Sequence, residues 1–370
     1  MKVVVIGHTY LVSFNRGKLR HLARRKDVDL TLICPGSWME PDFGLRLCEP
    51  ESAFPIQVLS TRGTGNVRRY NYSVPELIRT IRKISPDVVH LESEAASLAS
   101  LQVALTKIAH DYRLVLFVWD NLPSEGWRFR QVGAVSYRGT DYLIAGSNDA
   151  LTIARKQGYQ GPAAVLPQVG VDPAMYTRVR AVDPWGAAKG LRIGFVGRLD
   201  RKKGVDLLIR AVAQTENALL TLVGDGDHRE EFEALAGELE IADRCAFVGG
   251  VPHDGVPQYI KGMDALVLPS VATRGWVEQF GHVLIEAMAA NVPIIGSGSG
   301  VIPDVIGDAG LVFPEGDVVA LAKQIRRLQS EEGLALRLVE LGARRVRERF
   351  SDEAVAEKTY AIWSEVARCT

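Results

Sequence analysis

Short apolar runs alternate along the chain with segments that carry an apolar residue every third or fourth position. VVVIG (3–7), DLTLIC (29–34), FPIQVLS (54–60), DVVHLES (87–93), LVLFVWD (114–120) and YLIAGS (142–147) show little polar alternation, the pattern of strands buried on both faces. Helical spacing links them: a basic segment with Lys18, Leu19, Leu22 and Ala23, then 74–84, which stops before Pro86, then about 96–109. Between 160 and 190 the pattern breaks at Gly161-Pro162, Pro167, Pro173, Pro184 and GAAKG (186–190), which predicts a connection between domains. The alternation then restarts with strands at 191–197, 219–226, 245–250, 265–270, 293–298 and 311–313. Helices are predicted at about 204–213, 228–239, 255–262, 317–330, 333–349 and 352–368. This order predicts two doubly wound α/β domains. Ligands of such sheets bind beyond the carboxyl ends of the strands, so the expected site is a cleft between facing loops.

One segment departs from plain patterning. In VEQFGHVLIEAMAANVPII, Glu278 precedes a predicted helix, Gly281 stands at its start and Glu286 lies inside it. The first-turn N–H groups of a helix lack internal partners and its N-terminus is partly positive, so a glycine there gives an anion close access. Glu278 and Glu286 are eight residues apart, about 12 Å at helical rise. That is about the span from the sugar of a nucleotide-sugar to its ribose, with the diphosphate between. An ordinary amphipathic helix with one exposed and one capping glutamate would have the same spacing.

Composition narrows the function classes. The chain has 370 residues, 47% of them hydrophobic, with formal net charge zero. Residues 1–180 carry 23 Lys and Arg against 16 Asp and Glu, and the remainder 21 against 28. The basic first half includes Arg16, Lys18, Arg20, Arg24, Arg25 and Lys26, then Arg62, Arg68, Arg69, Arg79, Arg82 and Lys83. Peripheral contact with an anionic membrane and plain solvated helix faces both fit those clusters. Neutral overall charge without aromatic and basic interleaving argues against nucleic acid. Cys34, Cys48, Cys245 and Cys369 have no metal-ligand or redox spacing and read as idle thiols of a reducing cytosol. No secretory leader or run of about 18 apolar residues is present, so a cytoplasmic chain is expected, at most at the inner membrane face.

Further chemistry sits at the predicted strand ends of the second half. Gly197-Arg198-Leu199 leads to Lys203-Gly204, placing a guanidinium fork and an ammonium beside a glycine. Gly224-Asp225-Gly226-Asp227, Leu268-Pro269-Ser270 and the glycine turn Gly298-Ser299-Gly300 before Pro303 follow later strands. The order GRLxxxKG, VGDG, LPS, E-x-FG-x4-E and a glycine turn with proline resembles the donor-binding domain of retaining GT-B glycosyltransferases, in particular glycosyltransferase family 4. The resemblance is strong over about 191–350 and looser in the first half.

The resemblance implies a GT-B architecture: an acceptor-side domain of 1–180 with 352–370 returning to it through Tyr360 and Trp363, and a donor-binding domain of 190–351. It implies a nucleotide-sugar donor and a carbohydrate or lipid-linked acceptor. In its terms Arg198 and Lys203 neutralise the diphosphate beside Gly197 and Gly224. Glu278 contacts the donor sugar with the backbone of Phe280 and Gly281, Glu286 holds the ribose, and Val251 meets the base. No acidic pair is placed as a diphosphate-metal bridge, so no metal or other cofactor is expected. Two departures stand out. Gly7-His8-Thr9-Tyr10 replaces the glycine-rich turn usual after the first strand, which makes His8 an acceptor-side candidate. Trp119-Asp120-Asn121 stands where many members have a histidine, so Asp120 is a catalytic candidate and Trp119 and Asn121 acceptor-side ones, although a strand-end cap before Pro123 would look the same. Glu92 and Glu94 follow His90, itself read as a packed strand residue; Glu92 is an acceptor-side candidate. Two other functions fit the same architecture: a sugar-nucleotide binding or regulatory protein with a degenerate site, and a nonhydrolysing sugar-nucleotide epimerase.

Overall fold

A computed structural model describes residues 1–40, 44–122 and 126–368; Pro123 and Cys369 lie outside them. The chain divides into two compact units, Met1–Gly170 with Asp352–Thr370, and Val171–Ser351. The first boundary therefore falls ahead of the expected 180. The reason is local: Asp172 caps a short helix, Pro173–Thr177, through the Ala174 N–H, and that helix buries Tyr176 in the second unit's core. The segment read as a connection also contributes a strand to the first unit.

In the first unit the strands are β1 (Lys2–Gly7), β2 (Asp29–Pro35), the antiparallel pair β3 (Ser37–Glu40) and β4 (Gly44–Leu47), β5 (Ile56–Leu59), the short pair β6 (Thr61–Arg62) and β7 (Asn71–Tyr72), β8 (Val88–Glu92), β9 (Arg113–Val118), β10 (Tyr142–Ala145) and β11 (Ala163–Val165). Among the described residues seven of them form one sheet in the order β11-β10-β9-β8-β1-β2-β5, with every pairing parallel. Val3 and Val5 of β1 enter one core cluster and Val4 and Ile6 the other, so the period of two sends successive side chains into both faces. The helix Asp352–Arg368 closes one of those faces with Val355, Ala356, Ile362 and Trp363.

The second unit has β12 (Leu191–Val196), β13 (Ala218–Val223), β14 (Cys245–Gly249), β15 (Ala265–Leu268), β16 (Ile294–Ser297) and β17 (Gly310–Phe313), ordered β14-β13-β12-β15-β16-β17 and again parallel. In each unit the first strand is flanked by the second on one side and by a later strand on the other. The winding reverses at β1/β8 and at β12/β15, and a crevice opens beyond the strand ends at such a reversal.

Two residues of the basic cluster are not on the surface. Arg16 and Lys18 are buried. The Arg16 guanidinium donates to the carbonyls of Tyr10, Leu11, Glu49 and Pro50, and Lys18 pairs with Glu92. A buried charge persists where it is paired or hydrogen-bonded, which sequence spacing does not reveal. The cysteines also differ from expectation: Cys34 and Cys48 lie with their sulfurs 3.1 Å apart, brought together by the β3/β4 hairpin.

Candidate active site

At the β12/β15 reversal the loops after the strands are tied together. Asp200 caps a single turn, Arg201–Lys203, and Lys202 O accepts from the Val271 N–H at 2.8 Å. Gly204 follows with φ 68°, and a Cβ there would run into the carbonyl of Pro269. This close approach delivers Lys203 to the loop after β15, where its Nζ lies 2.7 Å from Glu278 Oε2 and 4.7 Å from the centroid of the Trp276 ring. Ser270 Oγ donates to the same Glu278 oxygen at 2.8 Å, and Ser297 Oγ donates to Ser270 O. The sequence reading assigned Lys203 and Glu278 separate duties; the structure joins them as one ion pair. Ser270 ends the Leu268-Pro269-Ser270 motif named in the sequence, but neither its bond to Glu278 nor the approach of Trp276 to Lys203 was legible there.

Gly281 caps the helix His282–Ala289 with φ 74°, and a Cβ on it would stand 2.8 Å from Leu268 Cδ2. The helix N-terminus therefore opens directly beyond β15. The Phe280 ring packs on His282 (4.7 Å between centroids) and on Phe350 (5.9 Å). Beside it the glycine turn docks on Glu278, whose carbonyl accepts from the Val301 N–H at 3.4 Å. The Ser299 hydroxyl in that turn is buried and meets no protein partner. On the other flank Gly197 N donates to Val223 O and Gly224 N to Gly249 O, and Arg198 Nη2 reaches Asp227 Oδ2 at 3.1 Å. Asp227 is largely exposed, so water screens this pair.

Glu286 is buried inside the helix. Burial raises its carboxyl to about 7, opposed by a hydrogen bond from Tyr176. His253 Nε2 lies 3.6 Å from Glu286 Oε1, two residues beyond Val251. Tyr176 and His253 were not legible as site residues because they arrive from the entry into the unit and from the loop after β14.

At the β1/β8 reversal of the first unit the expected residues separate into two groups. Glu92 is fully buried and accepts from Tyr10 OH and Lys18 Nζ, each at 2.6 Å, and from Gln168 Nε2 at 3.1 Å. These partners of the acceptor-side candidate Glu92 all belong to the first unit itself, and the adjoining cationic Lys18 holds the carboxyl down despite the burial. His90 is packed as expected, receiving the indole N–H of Trp363 at 3.2 Å. The second group is Glu94, Trp119 and Asp120. Glu94 Oε1 accepts from the N–H groups of Trp119 (2.7 Å) and Asp120 (2.8 Å). Burial, and then the Asp120 carboxylate, push Glu94 well up. Burial raises Asp120 as well, against the pull of Arg68 at 3.5 Å. Asn121 follows, half-buried. His8 is buried rather than surface-lining. Its ring stacks on Trp38 at 4.2 Å, with Tyr70 and Trp119 close by, its Nδ1 meets no protein partner, and burial lowers it to about 4.

The family profile described as Glycosyl transferases group 1 matches residues 185–345, and that described as Glycosyltransferase Family 4 matches 18–174. The chain belongs to the family 4 glycosyltransferases. Among the relatives of the chain, the 2-deoxystreptamine glucosyltransferase of Streptomyces kanamyceticus is 33% identical over 44% of the chain and 41% of its own length. A lipopolysaccharide core biosynthesis glycosyltransferase of Rhizobium meliloti is 32% identical over 60% of the chain and 63% of its own. The aligned stretches thus span about half the length of these curated relatives. In solved structures, a sucrose-phosphate synthase from Thermosynechococcus elongatus superposes over 100% of both chains with TM-score 0.76 at 20% identity, a likeness of fold that makes the architecture GT-B. The family match leaves no support for the epimerase reading.

Proposed function

We propose that the chain moves a hexose from a nucleotide-diphosphate sugar to a glycan, lipid-linked or small-molecule acceptor, retaining the anomeric configuration and using no metal ion, on the cytoplasmic side. UDP-glucose is the favoured donor, and the glucosyltransferase among the relatives supports glucose as the sugar. The observation that carries the reading is the meeting of Lys203, Glu278 and Ser270 at the β12/β15 reversal, beside the helix that starts after Gly281.

In this reading the diphosphate lies against the first-turn amides after Gly281, with Lys203 and Arg198 supplying positive charge near Gly197 and Gly224. Glu278 and the backbone at Phe280 hold the sugar, Glu286 the ribose diol, and Val251 borders the base. Breaking the sugar–phosphate bond leaves negative charge on the departing oxygen, and pre-placed cations and amides stabilise that charge without reorganising. Transfer runs on the front face, where the departing phosphate oxygen takes the proton of the acceptor hydroxyl. In the first unit, the Glu94 and Asp120 carboxyls, both raised by burial, meet the acceptor hydroxyls, with Trp119, Asn121 and the aromatic wall over His8 as flanking surface.

The test is transfer from UDP-glucose assayed in EDTA with Lys203→Ala and Glu278→Ala. A loss of roughly 10²–10³-fold in kcat/KM is expected for Lys203→Ala, the scale of removing one charge-stabilising donor. Wild-type activity in both variants would remove the site.

A further inference from the structure

Within the first unit, Cys34 ends the apolar run of β2, paired in register with Val58 of β5, and its thiol is buried. Cys48 comes directly after β4 and is half-exposed, with its N–H donating to Gly36 O at 3.1 Å. The two backbones are therefore held on either side of the hairpin root, and the sulfurs sit 3.1 Å apart. A disulfide bond is about 2.05 Å long, so closing one needs roughly 1 Å of approach, within reach of side-chain rotation. Arg16 Nη2 lies 3.8 Å from Cys48 Sγ. That guanidinium is fixed by four backbone carbonyls, so its charge stays beside any negative charge developing on Cys48.

We propose that Cys34 and Cys48 are an oxidisable dithiol, a modification site that takes a small-molecule disulfide as oxidant and closes to an intramolecular disulfide. Cys48, the accessible partner, attacks one sulfur of the oxidant and expels the first thiolate. Cys34 then attacks Cys48 Sγ in the mixed disulfide and expels the second. The protons of Cys34 and Cys48 go to the two departing thiolates, so two protein thiols are oxidised and one external disulfide is reduced. The burial that raises the Cys34 thiol makes it a poor first nucleophile, consistent with this order. The product closes the hairpin Ser37–Leu47, which carries the Trp38 ring stacked on His8.

The full chain, incubated with oxidised glutathione and then alkylated, is cut by trypsin at Lys26, Arg46 and Arg62, which separates the cysteines into peptides 27–46 and 47–62. Expected are the two peptides joined, lighter by two hydrogens than their sum and released by dithiothreitol. The melting temperature should rise by about 5 °C on oxidation, as closing a short loop constrains the unfolded chain. Cys48→Ser should show no rise, and Cys34→Ala should accumulate glutathione on Cys48. Recovery of the two peptides separately from oxidised wild type, or a Cys34→Ala chain whose Cys48 stays free, would overturn the proposal.

Discussion

Burial raises Glu286 to about 7 from 4.5, so between those values the unfolded chain has released a proton that the folded chain still holds. Stability therefore falls as pH rises from about 4.5 to 7 and levels off above, with the charged carboxylate costing about 3 kcal/mol by linkage. Glu286→Gln removes that charge but keeps an acceptor for Tyr176. The variant should melt about 5–10 °C above wild type at pH 8, with the gap closing below pH 4.5. A gap that stays constant from pH 4 to 8 in scanning calorimetry would trace the effect to packing instead. Nucleotide affinity should move the other way, lower in the variant at pH 8, because a carboxylate accepts from both ribose hydroxyls and an amide oxygen alone does so less well. Glu278 and Glu286 could be read from the sequence because the motif places both on one short segment. Ser270 was marked only as the end of the Leu268-Pro269-Ser270 motif, and Trp276, on the same connection as Glu278, carried no signal; Tyr176 and His253 could not be read, since they arrive from other parts of the unit whose placement depends on the tertiary fold. The partners of Glu92 were hidden for the same reason: Tyr10, Lys18 and Gln168 are all distant from it in the chain.

At the scale of elements, the helix His282–Ala289 contributes little unless its first turn can be approached. Gly281 meets two demands, a positive φ and the contact with Leu268. Gly281→Ala should cost about 1–3 kcal/mol in backbone strain and displacement of Leu268. In nucleotide titration the same change should weaken binding by more than tenfold, because shifting the cap moves the amides aimed at the diphosphate. Unchanged affinity alongside lowered stability would detach the helix N-terminus from the anion. Apart from β11, which falls in the segment read as a connection, the strands of both sheets were legible because parallel strands buried on two faces read as continuous apolar runs. The β3/β4 hairpin was not, since its partly exposed residues carry a mixed pattern, and the pairing of Cys34 with Cys48 was lost with it. The helix at 333–349 was legible only to Arg345, where the last turn widens at Val346–Phe350 before the chain leaves the second unit.

Across the whole molecule the sequence runs out of the first unit at Gly170 and returns at Asp352, so the last helix follows the second unit in the chain but packs on the first unit's sheet. Trp363 is fully buried there, its indole N–H donating to His90 of β8. Among the described residues, the second unit's core cluster contains none from outside Val171–Phe350. Trp363→Ala should therefore act on one unit alone. Deleting a buried Trp side chain costs about 3–5 kcal/mol, from lost transfer energy and the cavity left behind. For a unit of this size that corresponds to a fall of about 10 °C in its melting temperature. Hydrogen exchange resolved by peptide should show amides of β1, β8 and β9 losing protection while those of β12, β13 and β15 keep theirs, and UDP should still protect the second unit. Equal loss of protection in both sheets would mean that the two cores unfold as one cooperative block, and that the returning helix stabilises the second unit as well as the sheet it covers.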